Sequence, residues 1–407
     1  MSTRRERRSP TVPAPSPGRR VTARLVALAL LLAACRASPP VVAPTPAPTH
    51  EPGALSVTAL LDLSGARAPS GATQRDALQL WLDQQGSRTP RVRLRVVDVT
   101  GSAARTILEL RRAATDVRAD AVIVGVPVEY DDVFARVVEL ASLPIVFTLP
   151  VADPATSVGG RWAFALAPTP AQLARVTVDD ARARTVLVPA LIVSDESPAA
   201  VAERVALQAE LARRGLAVPL ATVAAGEVAQ RIAGPLMAAR SVFFAGAVPP
   251  YVAAARPAIG APRAPLLYFS YLAEPGALAE LREAAALATW PGSRGLLAVG
   301  GDGSPTRAAF LRAYADRYGA PSTHAAVAYD ALSLLAASAE RGVDAAAMRD
   351  RLEAGPLAGV ATTYTFAASR HAGFAAEDLV FLRWTGQRSF PALAPDPRLE
   401  RQPGLTP

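Results

Sequence analysis

The groups in this 407-residue chain that could do chemistry are few: three histidines, one cysteine, some adjacent acid pairs and one glycine-rich run. His50, His324 and His371 lie far apart, and His50 sits in a proline-rich stretch. A three-histidine metal site is therefore not supported, no metal is expected, and surface positions are expected for the histidines. Gly300-Gly301-Asp302-Gly303-Ser304 has neither the G-x-G-x-x-G order nor a following lysine, so it reads as a turn between lobes. No Gly-x-Ser-x-Gly elbow marks a hydrolase. Asp131-Asp132 and Asp195-Glu196 are suited to acid/base work, although adjacent loop acids are commonly just solvated. Every basic residue is arginine. Without lysine the chain cannot be a P-loop nucleotidase, a Schiff-base enzyme or a pyridoxal phosphate enzyme. No catalytic constellation and no cofactor are expected.

Cys35 is the exception among these groups. It ends the run Leu25 to Cys35, and seven arginines precede it: Arg4, Arg5, Arg7, Arg8, Arg19, Arg20 and Arg24. A basic segment, about ten apolar residues and then small residues form the pattern of a secretory signal peptide. The run is too short to span a bilayer, which takes about 20 residues. Leu32-Ala33-Ala34-Cys35 resembles a bacterial lipobox, which implies cleavage after residue 34 and lipidation of Cys35. With one cysteine, disulfides within a monomer and cysteine metal clusters are excluded. The formal charge of +8 is concentrated in the leader, whose seven arginines and one glutamate leave about +2 for the rest. That balance argues against a nucleic-acid partner.

The elements that must position any site follow a regular order. Pro39, Pro40, Pro44, Pro46, Pro48 and Pro52 make the segment after Cys35 an extended, semi-rigid tether. Strands are then expected at 55–63, 92–97, 121–124 and 144–149, with helices at 76–85, 104–117 and 130–141 between them. The arginines at 91, 93 and 95 alternate with apolar residues, which suggests an edge strand with one wet face. The pattern restarts with helices at 170–184, 199–215, 251–259 and 277–288 and strands at 186–193, 242–245 and 266–269. A strand at 296–299, helices at 307–318, 325–341 and 345–354, and an antiparallel pair of 363–366 with 379–384 complete the reading. Strand–helix alternation implies an α/β fold with doubly wound parallel sheets.

The stretch from Leu55 to Phe390 resembles the substrate-binding proteins of branched-chain amino-acid ABC transporters, the leucine-binding group of type I periplasmic binding proteins. The residues that carry the likeness are ordered along the chain. Leu61-Asp62-Leu63-Ser64-Gly65 with Gly71 fits the opening Pro-x-Thr-Gly and later Gly. Gln85-Gly86, Asp98, Val122-Ile123-Val124-Gly125 and Leu143-Pro144-Ile145-Val146 follow. Phe310-x-x-x-Tyr314-x-x-x-Tyr318-Gly319-x-Pro321, Ala328-Tyr329-Asp330-Ala331 and Gly359 with Tyr364-x-Phe366 match the closing segments. The resemblance implies two Rossmann-like doubly wound lobes joined by three crossovers, with ligand between them at the carboxyl ends of the strands and closure by hinge motion. The implied boundaries are a signal peptide over 1–34 and a tether over 35–53. Lobe one is 54–163 plus 291–342, lobe two is 164–290 plus 343–391, and 392–407 is a disordered tail.

Departures from the family pattern fall on its ligand contacts. The loop after the third strand reads Val126-Pro127-Val128-Glu129-Tyr130, with no hydroxyl before the tyrosine. The loop after the fourth reads Pro150-Val151-Ala152-Asp153. Glu196-Ser197-Pro198 replaces a Tyr-Gly pair, Pro250 falls where an acid is expected, and Phe164-Ala165 stands for Phe-Arg. A zwitterion buried without partners costs several kcal/mol per ion, so an ordinary amino acid is not the expected ligand. The candidate ligand contacts are Ser64, Tyr130, Asp153, Glu196, Tyr251 and Tyr271. The resemblance implies a lipid-anchored solute-binding protein, outside the cytoplasm, delivering an amino-acid-like or other small organic molecule to an ABC permease. The alternative is a ligand-free envelope scaffold acting through protein contact.

Overall fold

The structure is a computed structural model that describes residues 53–87, 90–184, 187–194, 196–218, 220–222, 233–246, 265–272, 288–297, 304–383 and 392–393. Two sheets organise them. The first contains β1 (Ala54–Leu61), β2 (Arg91–Asp98), β3 (Ala121–Gly125), β4 (Ile145–Phe147) and β5 (Ala163–Ala165), in the order β2-β1-β3-β4-β5. All its pairings are parallel. As the alternating arginines suggest, β2 is an edge: Val92 is buried while Arg91, Arg93 and Arg95 are exposed.

The second sheet contains β6 (Ala190–Ser194), β7 (Leu220–Thr222), β8 (Ser241–Ala245), β9 (Leu266–Tyr268), β10 (Ala288–Ser293), β13 (Leu379–Arg383) and β14 (Ala392–Leu393), in the order β14-β13-β10-β9-β8-β6-β7. β13 runs antiparallel to both β10 and β14. A separate hairpin joins β11 (Leu357–Ala358) to β12 (Thr363–Tyr364).

Helices cover both sheets: α1 (Ala68–Gln84), α2 (Ala103–Thr115), α3 (Asp132–Ala141), α4 (Pro170–Ala183), α5 (Pro198–Arg213), α6 (Ala233–Ala238), α7 (Pro305–Tyr318), α8 (Thr323–Ala339) and α9 (Ala345–Glu353). Their starts are written in the sequence. Ser102, Asp131, Ser197, Ser304, Ser322 and Asp344 each accept a backbone N–H in the first turn, and Thr169 forms a capping box with Gln172. No helix among the described residues is long and apolar enough to cross a membrane.

The chain passes between the sheets after β5, again after β10, and a third time on the way to β13. α8 returns to the first sheet and packs along α1, where the Trp81 indole donates to Ser333 at 2.7 Å and the Tyr329 hydroxyl donates to Gln84 at 2.7 Å. One hydrophobic cluster is continuous from β1 and α1 through α8 to β6, β8, β9 and β10. The two sheets therefore share core, and burial of this joint apolar surface holds them together.

Four expectations are corrected. The first helix starts at Ala68 rather than Asp76, because Pro69 is a good first-turn residue and Gly71 is required by packing. A Cβ on Gly71 would sit 1.8 Å from the Asp62 carbonyl oxygen. Leu296 belongs to a short 3-10 turn (Arg294–Leu296), and the strand lies earlier, at β10. Residues 363–366 and 379–384 do not pair with each other: β12 pairs with β11, and β13 inserts between β10 and β14. Ala392–Leu393, at the head of the expected tail, is a strand. The expected helices at 251–259 and 277–288 lie outside the described residues, except that Ala288 opens β10.

Candidate functional site

The carboxyl ends of the strands carry the polar groups. After β1, the Asp62 carboxylate accepts the N–H groups of Gly65 (2.6 Å) and Arg67 (3.0 Å). After β2, Asp98 accepts from the Leu63 and Thr100 N–H groups (2.9 and 2.8 Å) and from the Ser64 hydroxyl (2.5 Å). The Ser64 hydroxyl, then these N–H groups, hold the Asp98 carboxyl below the usual carboxylate range. Four donors of the first loop, those of Leu63, Ser64, Gly65 and Arg67, are thus taken by the chain's own carboxylates. Asp62 stands where the resembled family has proline, and Gly65, Gly71 and Gly101 crowd around it with no room for a Cβ.

Deeper in the floor runs a buried polar chain. Thr148, just after β4, donates to Gln74 Oε1 at 2.5 Å. Gln74 Nε2 donates to the Gly125 carbonyl at 3.0 Å and approaches Ser70 Oγ at 3.5 Å. Ser70 Oγ lies 2.9 Å from His324 Nδ1, and His324 Nε2 lies 3.1 Å from the Tyr271 carbonyl. A carbonyl can only accept, so Nε2 carries the proton and the Ser70 hydroxyl donates to Nδ1. The chain runs from the ends of β3 and β4 in one sheet to the loop after β9 in the other. All five side chains are buried, Gln74 and Thr148 completely.

Tyr271 also borders a cavity of about 30 Å³ at the ends of β8 and β9, whose lining includes Leu173, Thr177, Phe243, Tyr268 and Ser270. By the same measure a water needs about 10–15 Å³, so this space suits roughly two. Glu203 of α5 reaches into it. Its carboxylate accepts the Gly246 N–H at 2.8 Å and the Ser270 hydroxyl at 2.6 Å. Phe243 stacks on Tyr268, and Phe244 on Phe269, at centroid distances of 5.2 and 4.8 Å.

The predicted contacts are spread along these edges. Ser64 is bound to Asp98. Tyr130 is set among Phe134 and Phe147, each 5.8 Å away. Its hydroxyl oxygen is buried with no hydrogen-bond partner, and burial raises its pKa. Asp153 caps a short 3-10 turn through the Ala155 N–H and accepts the His371 N–H at 2.9 Å. Glu196 is exposed and pairs with Arg204 at 3.4 Å. Tyr271 is the one that joins the polar chain to the cavity. Cys35, Tyr251, Asp195 and Gly300–Gly303 lie outside the described residues. Asp131 serves as the cap of α3.

His324 and His371 are not surface residues; each is 1 % exposed. His371 Nδ1 faces the Gly160 and Ala163 carbonyls (2.7 and 2.8 Å), Nε2 faces Glu353 (3.1 Å), and the ring stacks on Phe164 at 4.3 Å. Among the described residues no group of three or more metal-ligating side chains exists.

Two wound lobes that share one core and bring their loops together through Tyr271 define the class of bilobed α/β binding proteins. The profile of the periplasmic binding protein family matches residues 54–388, and the chain belongs to that family. That family is one of binding proteins, not of enzymes. No curated protein matches it. Among solved structures it is similar to an R. palustris ABC-transporter solute-binding protein in complex with benzoate, with 19 % identity over 84 % of this chain and 97 % of that one and a TM-score of 0.69. It is also similar to LivJ of Streptococcus pneumoniae in complex with isoleucine, with 15 % identity, 84 % and 99 % coverage and a TM-score of 0.66. The leucine-binding protein LivK of Thermotoga maritima gives 16 % identity, 84 % and 99 % coverage and a TM-score of 0.67. Likeness at such identities carries the fold.

Proposed function

We propose that the chain is a lipid-anchored, extracytoplasmic solute-binding protein that encloses a small organic molecule between its lobes and presents it to an ABC permease. Cys35 carries the lipid, and the proline-rich segment after it holds the folded part off the membrane. The observation that carries the reading is the junction at Tyr271. One residue of the second lobe borders the aromatic cavity beside Glu203 and, through its carbonyl, ends the polar chain that starts at Thr148. Tyr130 and Tyr271 are the contacts placed best to wall a ligand. The first loop has its donors engaged by Asp62 and Asp98, so an amino acid is not held by its carboxylate there.

The test is native mass spectrometry of the chain from residue 36, purified without added ligand, followed by thermal shift against a metabolite library. A retained small mass, or stabilisation near 2.7 kcal/mol at about 100-fold over Kd, supports the reading. A bare mass with no shift refutes it. That outcome favours a ligand-free envelope scaffold, which the internal saturation of the first loop also suits.

A further inference from the structure

The first and third passages between the sheets run side by side. The first leaves β5 at Ala165, and the third includes residues 371–373 on its way to β13. Ala165 N–H donates to the His371 carbonyl at 2.8 Å, and Gly373 N–H donates to the Ala165 carbonyl at 3.0 Å. His371 is thus set in the joint, with its ring buried against Phe164.

Both ring nitrogens face acceptors. Nδ1 lies within hydrogen-bond distance of the Gly160 and Ala163 carbonyls, so it carries a proton. Nε2 lies 3.1 Å from Oε1 of Glu353, the last residue of α9. A carboxylate only accepts, so a second proton lies between ring and carboxyl group. With that proton, the pair is an imidazolium and a carboxylate, or a neutral ring and a carboxylic acid. Without it, two lone pairs oppose each other away from water, which is repulsive.

The other charged groups on the surrounding elements are engaged apart from the ring. Asp153 accepts the backbone N–H groups of Ala155 and His371. Arg161 and Arg349 lie 5.5 and 5.0 Å from the Trp162 ring centre and pair with Glu139 and Asp350. Arg370 donates to the Thr365 carbonyl at 3.2 Å. Of these acids and Glu353, Glu353 alone meets the imidazole.

We propose that His371 and Glu353 form a proton-dependent clasp that binds α9 to the joint of the first and third passages. The folded chain holds the shared proton and gives it up as pH rises, so the clasp is closed in acid and opens toward alkaline pH. The Glu353 side chain is 20 % exposed, which lets the carboxylate turn to water once the proton is gone. Opening loosens two of the passages about which the lobes hinge. That this hinge serves solute exchange rests on the reading above, whereas the clasp itself needs no ligand.

The experiment is amide hydrogen exchange at Ala165 and Gly373, from about pH 5 to 9, on the chain from residue 36, which contains every described element. No ligand is added, so the outcome is independent of whether a solute is bound. Glu353→Gln is the reference, because its amide group accepts from a protonated Nε2 and donates to a bare one. The ratio of wild-type to variant exchange cancels the ordinary pH dependence of exchange and the titration of Asp330, which is intact in both. A constant change in stability moves the ratio equally at every pH, so its slope is the readout. The expected ratio rises at least about tenfold across the range, the loss of one charged hydrogen bond. Glu139→Gln, which removes the Arg161 partner and leaves the ring alone, keeps the wild-type profile. A ratio that is flat or falls with pH overturns the proposal, as does a Glu139→Gln profile that matches Glu353→Gln.

Discussion

Replacing Asp330 with asparagine tests how the chain's third passage is held. Asp330 of α8 is buried, and its two oxygens accept the Val360 N–H (2.6 Å), the Ala361 N–H (2.9 Å) and the Tyr364 hydroxyl (2.9 Å). Arg307 Nε donates to the Val360 carbonyl at 2.8 Å, and Ser293 of β10 donates to the Ala361 carbonyl. One carboxylate thus ties α8 to the turn between β11 and β12, and through it to α7 and β10. Burial pushes the Asp330 carboxyl from 3.8 up to about 7, against the pull of its hydrogen bonds and Arg307. Between those values the folded chain holds a proton that the unfolded chain has lost. This contribution is therefore fully present below about pH 4 and disappears as pH rises through 7. The gap from 3.8 to about 7 corresponds to about 4 kcal/mol over that window. Asparagine cannot titrate, and its amide group faces a backbone N–H, which costs about 1–3 kcal/mol at every pH. Urea denaturation of both proteins from about pH 4.5 to 8, with m-values compared, gives the difference. Over that range the wild-type advantage should shrink by about 3 kcal/mol as pH rises. An advantage that is constant, or that grows with pH, refutes the reasoning.

Three further outcomes follow from the site. His324→Leu strands the Ser70 hydroxyl and the Tyr271 carbonyl and should destabilise by about 2–5 kcal/mol in calorimetry, with less loss in His324→Gln, whose amide can still donate. Gly71→Ala forces a methyl group onto the Asp62 carbonyl; a loss of roughly 3 kcal/mol or more is expected in chemical denaturation, and a neutral result would show that α1 can shift. Tyr130→Phe removes a buried hydroxyl that has no partner, so stability should hold or rise by up to about 1 kcal/mol, while affinity for any ligand recovered by mass spectrometry should fall if the hydroxyl contacts it.

The lobes were readable because their strands are short apolar runs with polar punctuation, and because Phe310, Tyr314 and Tyr318 recur at helical spacing, with ring centroids 5.7 and 5.2 Å apart in tilted pairs. β10 was not. Pro291 and Gly292 look like breakers, yet they hold positions opposite Phe381 and Val380 in an antiparallel ladder supplied from far along the chain. The polar floor escaped for the same reason. Thr148 is a single polar residue inside an apolar stretch, Gln74 sits among Thr73, Arg75 and Asp76 and reads as solvated, and His324 looked isolated because Ser70 is 254 residues away. For Thr148, a polar side chain flanked by the buried Phe147 and Leu149 is the signal that would have found it. Ser64 and Asp153 have the right residue types at strand ends, but nearby backbone and side-chain groups engage them first.

The late insertion of β13 into the second sheet has a consequence for how the chain is made. Synthesis and export both proceed from the amino end. Yet Asp153 waits for His371, 218 residues later, and the edge strand β5 gains a bridge at Ala372 that closes the first lobe as well. Neither half can complete its core from the residues that emerge first. Contacts this distant in sequence make folding slow. The chain therefore stays open until its last hundred residues arrive, and both lobes then close together.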